Sequence, residues 1–111
     1  MRRLTRLAMP ALLCVTATSL TPPARAQADA TKIYKTNCVL CHAENGSGDS
    51  PSGKALKAKD LRSEEVQQES DAALAEAIAK GKGKMPAFRT KLKPDDIKSL
   101  VAYIRSLASK K

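Results

Sequence analysis

Along this chain apolar residues recur at intervals of three and four, and no run alternates β-branched and aromatic residues with polar ones as a strand would. Ala30, Ile33, Tyr34 and Cys38 fall on one face of a first helix that Asp29 is placed to cap. The stretch SDAALAEAIAKG reads as a second helix, with Ser70 as cap, Asp71 in the first turn, Leu74, Ala77 and Ile78 inward and Gly81 at the stop. The last helix is the clearest. Pro94 takes its first position, Asp95 and Asp96 suit the positive end of its dipole, and Ile97, Leu100, Val101, Ile104 and Leu107 make one apolar stripe. A short helical piece is expected after Ser63, with Glu65 and Val66 in its first turn. The pattern predicts an all-α domain of three main helices and a short one.

Two stretches interrupt it. From Ala43 to Lys59 the chain is broken by Gly46, Gly48, Pro51 and Gly53, which predicts a long ordered loop of the kind that wraps something. The first quarter reads as a secretory leader: Arg2, Arg3 and Arg6 are followed by an apolar run from Leu7 to Ala17, and Ala24-Arg25-Ala26 offers a cleavage site. Residues 1–26 are therefore expected to be a cleaved signal peptide, and 27–111 the exported domain, with a periplasmic destination. The apolar run is shorter than the roughly 20 residues of a bilayer span and contains Pro10, so no membrane span is expected in the mature chain. Cys14 follows Leu13 where a lipoprotein site needs a small residue, and it reads as part of the discarded segment.

Removal of the leader takes four arginines and no acid, which leaves 16 Lys and Arg against 11 Asp and Glu, a formal net charge of +5. That balance points to acidic protein partners. Nucleic acid is not expected, because no aromatic residues interleave with the basic ones as stacking platforms. With one Phe, two Tyr and no Trp, the domain is also short of core, so something other than side chains must fill its middle.

The motif NCVLCH, residues 37–42, suggests what that is. Structural zinc needs four tight ligands; after cleavage the chain holds Cys38, Cys41 and His42 and no further Cys or His. A thiol redox pair belongs at a helix start within a strand–helix–strand unit, and here the motif ends a helix in a chain without strands. Covalent haem attachment needs two thiols two residues apart to reach the two vinyl groups, followed at once by an imidazole under the iron, and C-x-x-C-H meets that requirement. The expected cofactor is one haem c, bound through Cys38 and Cys41, with His42 as axial ligand. A covalently held porphyrin also supplies the missing apolar bulk.

The mature chain has no second histidine and one methionine, Met85, in GKGKMPAF. Gly81 and Gly83 let backbone approach a flat surface, Pro86 stiffens the chain beyond the sulfur, and Met85 has no periodic apolar neighbours of its own. By elimination Met85 is the expected sixth ligand.

On Tyr34 four residues before Cys38, NCVLCH, GSGDSPSGKAL, GKGKMPAF and LVAYIRSL, residues 29–108 closely resemble the small class I c-type cytochromes of bacteria. The resemblance implies the cytochrome c fold, helices wrapped around a covalently attached haem, with the first and last helices crossing so that Ala30 faces Tyr103 and Tyr34 faces Leu100. It also implies that the carbonyl of Pro51 accepts the other ring N–H of His42. Lys93 departs from the Ser or Thr that often caps the last helix, and Pro94 partly compensates.

An iron with both axial positions filled has no open site for substrate, so the expected function is single-electron transfer between periplasmic redox partners by a monomeric carrier that is not an enzyme. Lys80, Lys82, Lys84, Arg89, Lys91 and Lys93 flank Met85 without an intervening acid and form the expected docking face for an acidic oxidase, reductase or dehydrogenase. Two other readings stay open at this point: a haem enzyme or ligand sensor with a labile Met85, and a cytochrome subunit of a larger respiratory complex.

Overall fold

The computed structural model describes residues 17–21 and 23–110. The basic start and nearly all of the apolar run of the expected leader, with Cys14, lie outside the described residues. Helix α1 spans Ala24–Asn37, α2 Val39–His42, α3 Pro51–Leu56, α4 Glu64–Gln67, α5 Asp71–Lys80 and α6 Pro94–Leu107, followed by a 3-10 turn over Ala108–Lys110. Three main helices are present as expected, and three short ones join them. Among the described residues no helix is long and apolar enough to cross a membrane.

α1 begins ahead of Asp29, after an extended Pro23, because alternate alanines from Ala24 to Ala30 favour helix and need no side-chain cap. The stretch expected to be loop contains α3. Ser50 Oγ accepts the Gly53 N–H at 3.0 Å and Pro51 occupies the first helical position, a start signal as strong as that of α6. α4 and α5 begin as expected, with the hydroxyls of Ser63 and Ser70 accepting from Val66 and Ala73. At α6 Lys93 has no side-chain acceptor, and Asp96 reaches back to take the Lys93 backbone N–H at 3.0 Å.

α1 packs on α6, and α6 on α5. Tyr34, Leu61, Val66, Leu74, Ile78, Phe88 and the stripe of α6 form the core, with Tyr34, Leu100 and Leu107 almost wholly buried. Tyr103 sets its ring on Tyr34, with centroids 4.8 Å apart at 43°, so the aromatic contact of the crossing is between the two tyrosines. Arg105 ties α6 to the corner between α4 and α5. Its guanidinium donates to the carbonyls of Gln67 at 2.8 Å and Glu69, and to Asp71 Oδ1 at 2.9 Å.

Candidate functional site

The short helix α2 is a single turn. The N–H groups of Cys41 and His42 both donate to the Cys38 carbonyl, at 3.2 and 2.9 Å, so the two thiols and the imidazole leave one tight backbone unit. Its exit is strained: Ala43, next after His42, has φ +63°. Tyr34 Oη donates to the Ala43 carbonyl at 2.7 Å and holds that conformation from α1. Ser50 Oγ is 2.6 Å from the Leu40 carbonyl and ties the turn to the start of α3.

His42 Nδ1 lies 3.0 Å from the Lys59 carbonyl. A carbonyl only accepts, so Nδ1 carries the proton and Nε2 keeps its lone pair. Burial lowers the imidazole pKa, the Lys59 carbonyl partly opposing it, and the neutral ring is the form that binds a metal. This corrects the expectation for Pro51. That residue is exposed at the first turn of α3, and the chain must complete α3 and its left-handed cap at Lys57 before a carbonyl returns to the imidazole.

Cys38 and Cys41 are free thiols, each partly buried. Burial, with the neighbouring Cys41 adding to it, pushes the Cys38 thiol up to about 11. A reactive dithiol needs the opposite shift, so this environment disfavours the thiol redox reading of the motif.

Met85 reaches the site from another part of the chain. Its segment is fastened to the end of α5, where the N–H groups of Phe88 and Arg89 donate to the carbonyls of Ile78 and Ala79 at 3.0 and 3.1 Å. Those carbonyls belong to the last turn of the helix and have no partner within it. Gly81 makes the approach possible, since a Cβ there would stand 2.5 Å from the Met85 carbonyl oxygen.

Cys38, Cys41, His42 and Met85 all line one cavity of about 470 Å³, whose other walls include Leu61, Val66, Leu74, Ile78, Phe88, Leu100 and Ile104. Its size suits a prosthetic group and its walls a largely apolar one. Two free thiols to attach the porphyrin, and a neutral imidazole and a thioether to ligate its iron, are the groups that haem c would take. Among the described residues no three His, Cys, Asp or Glu side chains are grouped to hold a free ion.

Of the six expected docking bases, Lys82 and Lys84 line the cavity. Lys80 pairs with Glu76 at 2.9 Å along α5, while Arg89, Lys91 and Lys93 are exposed without lining it. Sequence reasoning missed Lys57 and Lys59, which line it from the other side of the chain; Lys59 is paired with Glu65 at 2.6 Å. A signal was present in Lys54, Lys57 and Lys59, a basic run without an acid. For the Lys59 carbonyl there was none, because a backbone acceptor has no residue code.

The family described as cytochrome c oxidase, cbb3-type, subunit III matches residues 25–104. Cytochrome c6 of Leptolyngbya boryana is 34% identical over 79 residues, which cover 71% of this chain and 89% of that protein. The cbb3-type cytochrome c oxidase subunit FixP of Bradyrhizobium diazoefficiens is 39% identical over 82 residues, covering 72% of this chain and 27% of that subunit. Among solved structures, KustC0563 c-type cytochrome superposes with a TM-score of 0.66 at 32% identity, over 71% of this chain and 96% of that one. With the motif, the cavity and these likenesses in agreement, the chain belongs to the small monohaem class I c-type cytochromes, electron-transfer proteins that hold haem c covalently.

Proposed function

We propose that the protein is a soluble periplasmic carrier of single electrons, with His42 and Met85 as the axial ligands of a haem c held by thioethers to Cys38 and Cys41. The cofactor supplies an iron that alternates between ferrous and ferric states. The observation that carries the reading is that Met85, the one methionine among the described residues, lines the same cavity as His42 and both thiols. The Lys59 carbonyl fixes the His42 tautomer, and the thioether of Met85 favours the lower charge of the ferrous state. With both axial positions taken, no site is left for substrate, and electrons pass without bond making. The leader, residues 1–26, is cleaved on export, and the monomer meets its partners through the basic residues around the cavity.

Those partners are acidic redox proteins. Lys57, Lys59, Lys82 and Lys84 line the cavity against a single acid, Glu69, and a positive rim of this kind steers negative surfaces toward it. The match to one quarter of the FixP subunit supports the same haem-domain reading without making this chain such a subunit.

Optical spectra of the purified holoprotein test the ligands. Ferric wild type is expected to show the far-red sulfur-to-iron band, and Met85→Ala to lose it while keeping its covalent haem. The midpoint potential of that variant should fall by on the order of 100 mV, a fraction of the ~0.8 V over which axial ligands move haem potentials. A wild type without the band, or a Met85→Ala variant that keeps it, refutes the assignment. Rapid binding of carbon monoxide by the reduced wild type would instead favour the enzyme or sensor class.

A further inference from the structure

Met85 is presented by a two-residue turn. Lys82 and Met85 exchange backbone hydrogen bonds, 3.2 Å from the Lys82 N–H to the Met85 carbonyl and 3.0 Å in the other direction. Of the two residues between them, Gly83 has φ +59° and Lys84 has no positive φ. That combination defines a type II′ turn with glycine in its first central position.

The surroundings of Gly83 are open, with nothing within 4 Å of the place a Cβ would take. Packing and backbone are thereby separated. A methyl group at residue 83 meets no neighbour, so its whole cost lies in holding an L-residue at positive φ. Gly81 differs, because there a Cβ collides with the Met85 carbonyl and any substitution mixes clash with conformation.

We propose that Gly83 is a positioning residue for Met85: its left-handed conformation keeps the turn closed and the thioether in the cavity, and so sets how readily an external ligand displaces the sulfur. The proposal rests on Met85 being the sixth ligand. While Met85 is bound, residue 83 is kept at positive φ by the two hydrogen bonds of the turn. Once the sulfur leaves, the turn is free to open and residue 83 to return to negative φ. An L-residue with a Cβ therefore penalises the closed form and not the open one. A penalty of the usual size for such a residue shifts that equilibrium about tenfold.

The test is titration of the ferric holoproteins with imidazole, followed at the sulfur-to-iron band. Gly83→Ala is expected to bind imidazole about tenfold more tightly than wild type. Gly83→Asn should fall between them, since Asn is among the residues that primed turns accept and Ala is not, and it serves as the readable variant if Gly83→Ala folds poorly. Thr90→Ala, an exposed residue of the same loop without positive φ, should match wild type. If wild type shows the band and both Gly83 variants bind imidazole as wild type does, the proposal is overturned. It is equally overturned if Thr90→Ala tightens binding as much as Gly83→Ala. A wild type that lacks the band overturns the Met85 assignment itself, which separates the two failures.

Discussion

The His42 and Met85 sides of the cavity are held by different means. His42 ends one turn of helix that also carries both thiols, and three distant groups brace that turn: Tyr34 at its exit, Ser50 at its middle and the Lys59 carbonyl at the imidazole. Met85 sits in no helix. It hangs from a II′ turn and from two carbonyls at the end of α5. The first arrangement gathers its thiols and imidazole in one contiguous motif, which haem attachment would make covalent. The second depends on α5 being in place, and Arg105 ties the start of α5 to α6 through Asp71. The side built on borrowed helix carbonyls is the one expected to give way first.

The largest test of this contrast removes the anchors of one side. Cys38→Ala combined with Cys41→Ala is expected to abolish covalent haem attachment and, with it, most of the helical circular dichroism. The cavity walls then have nothing to close on in a domain with few large side chains. Met85→Ala, on the other side, should keep both haem and helicity. A folded, haem-free double variant with wild-type helicity would show that the cavity does not need its occupant, and the contrast would fail.

Next in size is the support beneath the Met85 side. Arg105→Met keeps the stem of the side chain and removes its donors, leaving the carbonyls of Gln67 and Glu69 without that partner at a part-buried corner. A loss of about 2 kcal/mol is expected in denaturant unfolding of the holoprotein. Breaking the exposed Lys80–Glu76 pair on the same helix with Lys80→Gln should scarcely move the midpoint. Equal effects from the two would mean that Arg105 acts as a surface charge and not as a tie.

Much of this was legible in the sequence, for physical reasons that differ by element. α5 and α6 carry their own caps and a 3.6-residue stripe, so their ends and inward faces could be read directly, including Ser70, Pro94 and the stripe from Ile97 to Leu107. NCVLCH was legible because the chemistry demands contiguous residues. α3 escaped because three glycines and a proline outweighed a start signal at Ser50-Pro51 that was equally on view. Lys59 as the partner of His42 could not be read at all. It depends on how many residues α3 and its cap consume before the chain returns, and the same arithmetic moved the acceptor away from Pro51.

A smaller effect sharpens the His42 side. Tyr34→Phe removes the hydrogen bond to Ala43 and leaves that carbonyl, at a strained residue, without its donor, for a cost of about 1 kcal/mol. The pH dependence carries a sign. Burial raises the Tyr34 phenol above its ordinary value of 10.0, with Tyr103 adding to it, so the native state keeps its proton where the unfolded chain gives it up. The contribution is complete below the unfolded value and is lost as pH rises beyond it. Wild type should therefore lose more stability than Tyr34→Phe between about pH 9 and about pH 11. Parallel losses in the two proteins would mean that the phenol is ionised as easily in the native state as in the unfolded chain.

The smallest effect compares the charges that the two sides bring to the cavity. Lys57 belongs to the His42 side, at the end of α3, while Lys82 and Lys84 flank the turn that holds Met85. If both arms steer an acidic redox protein, Lys57→Gln and the pair Lys82→Gln with Lys84→Gln should each slow electron transfer about two- to threefold at low salt. Each should also flatten its dependence on ionic strength. The differences should vanish near 1 M salt, where screening extends over only about 3 Å. Lys59 supplies the internal contrast. Its ammonium is already engaged by Glu65, which raises its pKa and offsets its charge, so Lys59→Gln should change the rate less than Lys57→Gln does. An equal effect at Lys59 and Lys57 would show that the exposed pair does not hold in solution. No effect at either, beside a clear one at Lys82 and Lys84, would confine the docking face to the Met85 side.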